Sequence, residues 1–224
     1  VLAIERDRLR EYGYSGQHQQ RPSPAGGGMF PIAKWRLYIP GTERFQETIL
    51  SMDASFKGEK KNDFVVIGAI RRQLDVVPPQ ASPFGIYRRH RYYIPHRIRL
   101  KAGIIESQRE LRTMAAMFPN ARIKLIEEKA NGAAIVQQME LEMDGIEPIN
   151  PGTDSKTARA ESIRPIHDRG DLCVPVADWA IANIKAMGVT SCTMTKAFLP
   201  ASLFRMKCDQ MTQHARITTD PWYN

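Results

Sequence analysis

Three carboxylates, Asp53, Glu127 and Asp209, stand where this chain could hold a metal ion. Asp53 sits in Ser51-Met52-Asp53-Ala54-Ser55-Phe56-Lys57, just before a loop that leads into the apolar run Phe64 to Ile70. Glu127 and Glu128 lie in Lys124-Leu125-Ile126-Glu127-Glu128-Lys129-Ala130-Asn131-Gly132, which reads as a buried strand turning into a helix. Acids on neighbouring strands of one α/β sheet can share a divalent ion. Carboxylates suit hard ions such as Mg²⁺ or Mn²⁺. Two such ions about 3.5–4 Å apart activate water and stabilise the leaving oxygen of a phosphodiester.

Adjacent acids on a strand point to opposite faces, so one of Glu127 and Glu128 shares a face with Asp53. Alternation groups Ile123, Leu125 and Glu127 against Lys124, Ile126 and Glu128. The first group is more apolar and is expected to face inward. Glu127 is therefore the expected ligand, and Glu128 a supporting or solvated acid. Asp209 lies in an expected last helix, Leu203 to Ile217, and is the only acid between Asp178 and Asp220. Taken singly, an acid such as Asp53 is ordinarily a turn former or cap, and Asp209 a solvated helix residue. The metal chemistry rests on their combination.

The chain has 224 residues and a formal net charge of +8. An excess of cations favours a polyanionic partner, nucleic acid first. The cations cluster. Arg88, Arg89, Arg91, Arg97, Arg99 and Lys101 fall between residues 88 and 101 with no acid among them. Tyr92 and Tyr93 are interleaved and could pack on sugars or bases. Such contacts position a nucleic acid without reading its sequence. The plain alternative is a solvated hairpin face. No apolar run approaches the roughly 18 residues of a membrane span. The charged N-terminus is not a signal peptide. Cys173, Cys192 and Cys208 make neither a zinc ribbon nor a disulfide framework, which suits a reducing, intracellular setting. The five histidines show no ligand spacing.

Elements must position these groups. Residues 1–12 read as a helix stopped by Gly13, and 15–31 as a Gln-, Pro- and Gly-rich strap. Strands are expected at 35–39, up to Asp53, at 64–70, 92–94, 122–126, 146–149 and 172–175. Residues 71–91 are Pro-rich and read as a long loop between two strands of a hairpin. Helices are expected at 104–118, 133–143, 154–164 with Pro165 just past the end, and 179–187. This succession predicts an α/β domain with antiparallel first strands and parallel later ones. There is no Walker A loop and no G-x-S-x-G elbow.

At four places the chain resembles the C-terminal nuclease domain of the tailed-bacteriophage terminase large subunit. Gln19-Gln20-Arg21-Pro22-Ser23-Pro24 with Gly27-Gly28-Met29-Phe30 is similar to the strap leaving that family's ATPase domain. Met52 to Lys57 with Asn62-Asp63-Phe64 is similar to its D-x-A-F-K…S-D-Y segment. Leu125 to Gly132 is similar to its I-E-D-K-A-N-G segment, the most specific of the four. Lys156 and Arg159, then Gly170 and Pro175, are similar to its K-x-x-R…G-x-V-x-L-P segment. Together they span Gln19 to Pro175.

The resemblance implies an RNase H-like mixed sheet flanked by helices, and cutting of concatemeric double-stranded DNA with divalent metal during genome packaging. It carries the family's first acid onto Asp53 and its second onto Glu127, with Asp63 as a further acid near the site. Lys129 is placed to contact phosphate or an acid of the site. The family's closing segment, F-P-x-x-x-H-D-D-x-x-D-A-x-S/T-Q, fits less well. An ungapped register from Pro200 puts Phe204, Arg205 and Met206 at H-D-D and Asp209 at the later Asp. A register with three extra residues makes Asp209 the second Asp of the pair. His96 stands where the family commonly has an Asp.

Residues 1–34 are then expected to be the helix and strap from an absent ATPase domain, and 35–224 the nuclease domain. Implied partners are duplex DNA, the terminase ATPase domain, the small terminase subunit and the portal, with no membrane. The implied place of action is the cytoplasm of an infected bacterial host, at the procapsid. Two other functions remain open: a DNA-gripping or motor-docking module without the metal site, and another RNase H-like nuclease such as a resolvase.

Overall fold

The structure, a computed structural model, describes residues 30–41, 43–53, 64–77, 87–128, 132–150 and 156–189. They divide into two compact units. One takes in 47–70 and 96–163. The other takes in 71–95 with the residues up to 46 and those from 164. The expected helices at 1–12 and 203–217, and the strap up to residue 29, lie outside the described residues.

The first unit holds β2 (Glu47–Asp53), the first half of β3 (Phe64–Val77), β5 (Arg97–Lys101), β6 (Ala121–Glu127) and β7 (Ile146–Ile149). Its helices are α1 (Ile104–Met117), α2 (Gly132–Glu140) and α3 (Lys156–Glu161). The strands lie in the order β5-β3-β2-β6-β7. β5 is antiparallel to β3, whereas β2, β6 and β7 run parallel. This is a mixed sheet flanked by helices, with an antiparallel strand pair and later parallel strands, as the sequence leads one to expect.

One face of that sheet is closed by helices. Leu50, Met52, Val65, Ile67, Ala69 and Ile126 pack with Leu111, Met114 and Phe118 at α1 and with Ile135, Val136 and Met139 of α2. Ile98 and Leu100 of β5 join the same cluster. Full burial of one Leu, Ile, Val, Met or Phe side chain in this cluster contributes about 1.5–3 kcal/mol against leaving it in water. The helix-covered face of β6 is thus that of Ile126, while Leu125 and Glu127, expected to face inward, are buried on the opposite face. Lys124 shares the Ile126 face and is buried as well. It lays its stem on the core, and its ammonium donates to the carbonyls of Ala121 at 3.0 Å and Asp144 at 2.8 Å.

The second unit is built on β1 (Arg36–Tyr38), the second half of β3, β4 (Tyr87–Tyr93) and β8 (Leu172–Pro175). A 3-10 turn (Ile32–Lys34) and two helices, α4 (Arg164–Asp168) and α5 (Asp178–Val189), complete it. β1 and β4 both pair with β8 in parallel, and β4 is antiparallel to β3. Residues 71–77 and 87–91, expected as loop, are therefore strand. Their apolar pattern is broken by charges that pair across the strands. Asp75 receives Arg89 at 3.3 Å and Arg91 at 2.8 Å, and the Tyr93 hydroxyl donates to Gln73 at 2.6 Å. The helix expected over 154–164 is also two pieces, α3 and α4. Pro165 opens the second instead of following the first, because a proline costs no hydrogen bond in a helix's first turn.

His167 sits at the centre of this second unit. It is fully buried, edge-on to Phe30 (ring centroids 5.1 Å apart) and Trp35 (4.9 Å). Burial pushes its pKa down to about 4; Asp168 opposes this, while Lys34 and Arg164 add to it. The folded state therefore keeps the imidazole neutral where the unfolded chain would protonate it. Stability is complete above about pH 6.5 and falls as pH drops towards 4, by up to about 3 kcal/mol. Urea unfolding at pH 7.5 and pH 5 is expected to show this loss, and His167→Leu to flatten it.

Candidate metal centre and nucleic-acid face

Asp53 ends β2 and Glu127 ends β6. The parallel register pairs Ser51 with Leu125 and Met52 with Ile126. Carried one residue further, it sets Asp53 beside Glu127. Met52 and Ile126 turn into the helix-covered core, so alternation turns Asp53 and Glu127 to the opposite face. Neighbouring strands lie about 4.8 Å apart, a spacing one divalent ion can bridge. Asp53 is 3% exposed and Glu127 2%. All-oxygen donors of this kind fit Mg²⁺ or Mn²⁺. Glu128 is exposed and points away, and its N–H donates to the Ile149 carbonyl at 2.8 Å.

Asp63, Lys129 and Asp209 lie outside the described residues. Among the described residues no three His, Cys, Asp or Glu side chains come together as a metal cluster. His96 has its pKa lowered by burial and therefore tends to the neutral form.

The basic stretch divides between the two units. Arg88, Arg89 and Arg91 belong to β4, and Arg88 pairs in register with Val76. Arg89 and Arg91 meet Asp75, and Arg89 also reaches the buried Asp171 at 3.5 Å. Arg169 meets Asp171 from the other side at 2.9 Å. Sequence reasoning missed Asp75 as a partner because residues 71–77 read as loop, and a loop has no cross-strand register; Asp171, just before β8, is too far from Arg89 in sequence to be paired with it by pattern. Arg97, Arg99 and Lys101 belong to β5 instead. The register pairs Arg97 with Gly68, Arg99 with Val66 and Lys101 with Phe64. Arg99 lies over the Phe64 ring at 3.3 Å, with the Lys101 ammonium 5.5 Å from the same ring. Burial, helped by Arg99, lowers the Arg97 pKa to about 10, so it stays charged at neutral pH.

No protein-family model matches the chain, and no curated protein sequence matches it. Solved structures do. The zinc-bound large terminase nuclease from thermophilic phage G20c is similar at 13% identity and a TM-score of 0.47, over 78% of this chain and 95% of that one. The magnesium-bound form of the same nuclease has 13% identity and a TM-score of 0.44, over 74% and 81%. The human cytomegalovirus terminase nuclease domain has 13% identity and a TM-score of 0.40, over 70% and 82%.

Proposed function

We propose that this chain is a metal-dependent endonuclease that cuts concatemeric double-stranded viral DNA during genome packaging. The observation that carries it is the pair Asp53 and Glu127, buried side by side at the ends of two parallel strands. The family resemblance of Leu125 to Gly132 supports the same acid. Asp53 and Glu127 would hold Mg²⁺ or Mn²⁺, with Asp209 as a third ligand and Asp63 and Lys129 in supporting places. Bound there, the metal would supply water activation and charge neutralisation at the phosphate. Asp53 and Glu127, both buried, would hold the ion away from bulk water. The proposed setting is the packaging complex in an infected bacterial host, with a terminase ATPase domain, a small subunit and a portal as partners.

Plasmid cleavage tests this. Wild type is expected to nick or linearise plasmid in Mn²⁺ or Mg²⁺ and to do neither in EDTA. Asp209→Ala is expected to lower the rate by about 10²-fold, in line with loss of one electrostatic stabiliser. Cutting that survives this change would move the third ligand elsewhere. DNA binding without cutting in either metal would favour a gripping module over a nuclease.

A further inference from the structure

Among the described residues one arginine is buried: Arg159, 5% exposed, in the last turn of α3. Its Nε and Nη1 are enclosed by protein and have no hydrogen-bond partner, and no carboxylate pairs with it. A cation in a helix's last turn ordinarily finds the carbonyls that the helix leaves open. Here those carbonyls are taken by other donors. The Ser162 hydroxyl donates to the Arg159 carbonyl at 2.6 Å. The Ser162 N–H donates to the Ala158 carbonyl at 3.2 Å, and the Ile163 N–H to that of Ala160 at 3.0 Å. Lys124, the other buried cation among the described residues of this unit, shows the usual arrangement, with its ammonium held by two carbonyls. Arg159 is thus a buried charge that the protein itself does not answer. Such a charge is costly until an anion meets it.

We infer that Arg159 is the receptor of a small oxyanion of the phosphate type, which it meets at Nη2. Nη2 is not among the enclosed nitrogens of this side chain and is the one open to solvent. The guanidinium charge is delocalised over its three nitrogens, so an anion at Nη2 answers all of it. A hydrogen bond between two ionised groups is about twice as strong as a neutral one, and burial strengthens it further. The opening is narrow, which favours a compact ion over a bulky one. A net charge of +8 draws polyanions, so phosphate is the oxyanion this chain gathers around itself. Its source is either free phosphate or a phosphate group of a nucleic-acid backbone; the chemistry at Nη2 is the same. The inference does not rest on the nuclease reading, because it concerns binding at α3 and its test reads no cleavage.

The test is thermal unfolding of the full chain in EDTA, in chloride and in phosphate of equal ionic strength, with wild type beside Arg159→Met. In chloride Arg159→Met is expected to melt about 3–10 °C above wild type, because it removes an unanswered buried charge and keeps most of the side chain's bulk. An arginine that holds the fold together predicts the opposite sign. Phosphate at a hundred times its Kd is expected to raise the Tm of wild type by about 5–10 °C. The variant is expected to gain only what an excluded salt gives any protein. Acetate in place of phosphate is expected to give wild type little. A lower Tm for Arg159→Met in chloride overturns the inference. So do equal phosphate gains in the two proteins, or an acetate gain equal to the phosphate gain. Calorimetric titration of wild type with inorganic phosphate decides the matter if the variant does not fold, and an absence of saturable binding there overturns the inference as well. A DNA duplex in EDTA then separates the two sources. For a backbone phosphate, Arg159→Met weakens duplex binding about tenfold, and free phosphate competes with the duplex on wild type alone. For free phosphate, duplex affinity is unchanged while the phosphate gain is still lost.

Discussion

Asp53→Asn and Glu127→Gln are each expected to reduce Mn²⁺-dependent DNA cleavage by at least about 10²- to 10³-fold. Both side chains are buried at the ends of adjacent parallel strands, where each substitution keeps shape and removes one negative charge. A structural cap at Asp53 would show itself in another way, because its loss would change stability in metal and in EDTA alike. A ligand pair predicts a difference between the two conditions. Metal at a hundred times its Kd adds about 2.7 kcal/mol to the wild type. For a domain of this size that is a gain of about 5–10 °C in Tm. Neither variant is expected to show most of that gain, while DNA binding in EDTA is retained. The measurement is a thermal melt with and without Mn²⁺, run beside the cleavage assay. Equal metal-induced gains in wild type and variants would remove Asp53 and Glu127 from the metal centre.

The acids were legible because strands announce their ends. Leu125-Ile126 and Leu50-Ser51-Met52 are short apolar runs that stop at a carboxylate, and periodicity alone places those carboxylates at strand tips. Which face they occupy was not legible from apolar character. Both faces of β6 are buried at its end, and only the position of α1 and α2 shows which one is the helix-covered core. The extent of β3 and β4 was hidden for a related reason. Asp75, Arg89 and Arg91 break the apolar pattern, yet they satisfy one another across the two strands. A single sequence shows charge but not who answers it. The same limit makes β5 hard to see. Arg97-Ile98-Arg99-Leu100-Lys101 alternates as a strand should, but it reads first as one end of a longer basic run. Its place comes from the register with Phe64, Val66 and Gly68, which makes it a strand of the first unit.

Gly145→Ala is expected to be among the most damaging single-methyl changes the chain can receive. Gly145 connects α2 to β7 with φ at 75°, a left-handed conformation that costs an L-residue about 1–2 kcal/mol. Space is the larger obstacle. A Cβ built there would stand 1.7 Å from the Arg122 carbonyl oxygen and 2.9 Å from its carbon. Both are backbone atoms of β6, so no side chain can rotate away. The Lys124 N–H also donates to the Gly145 carbonyl at 2.7 Å, and Lys124 Nζ holds the neighbouring Asp144 carbonyl. Shifting the turn breaks these bonds and slides β7 along β6, whose last pair is Glu127 with Ile149. The expected cost is at least about 3 kcal/mol, or a fall in Tm of roughly 10 °C. Gly170 supplies the contrast. Its φ is 69°, but the nearest atom to an added Cβ is the Lys34 carbonyl oxygen at 4.0 Å. Gly170→Ala therefore meets the conformational cost without the clash, and is expected to lose about 1 kcal/mol. Comparing the two melts separates backbone conformation from close approach. Equal losses would mean that β6 and the turn can part at little cost, and Glu127 would then lack the rigid seat that a metal ligand needs.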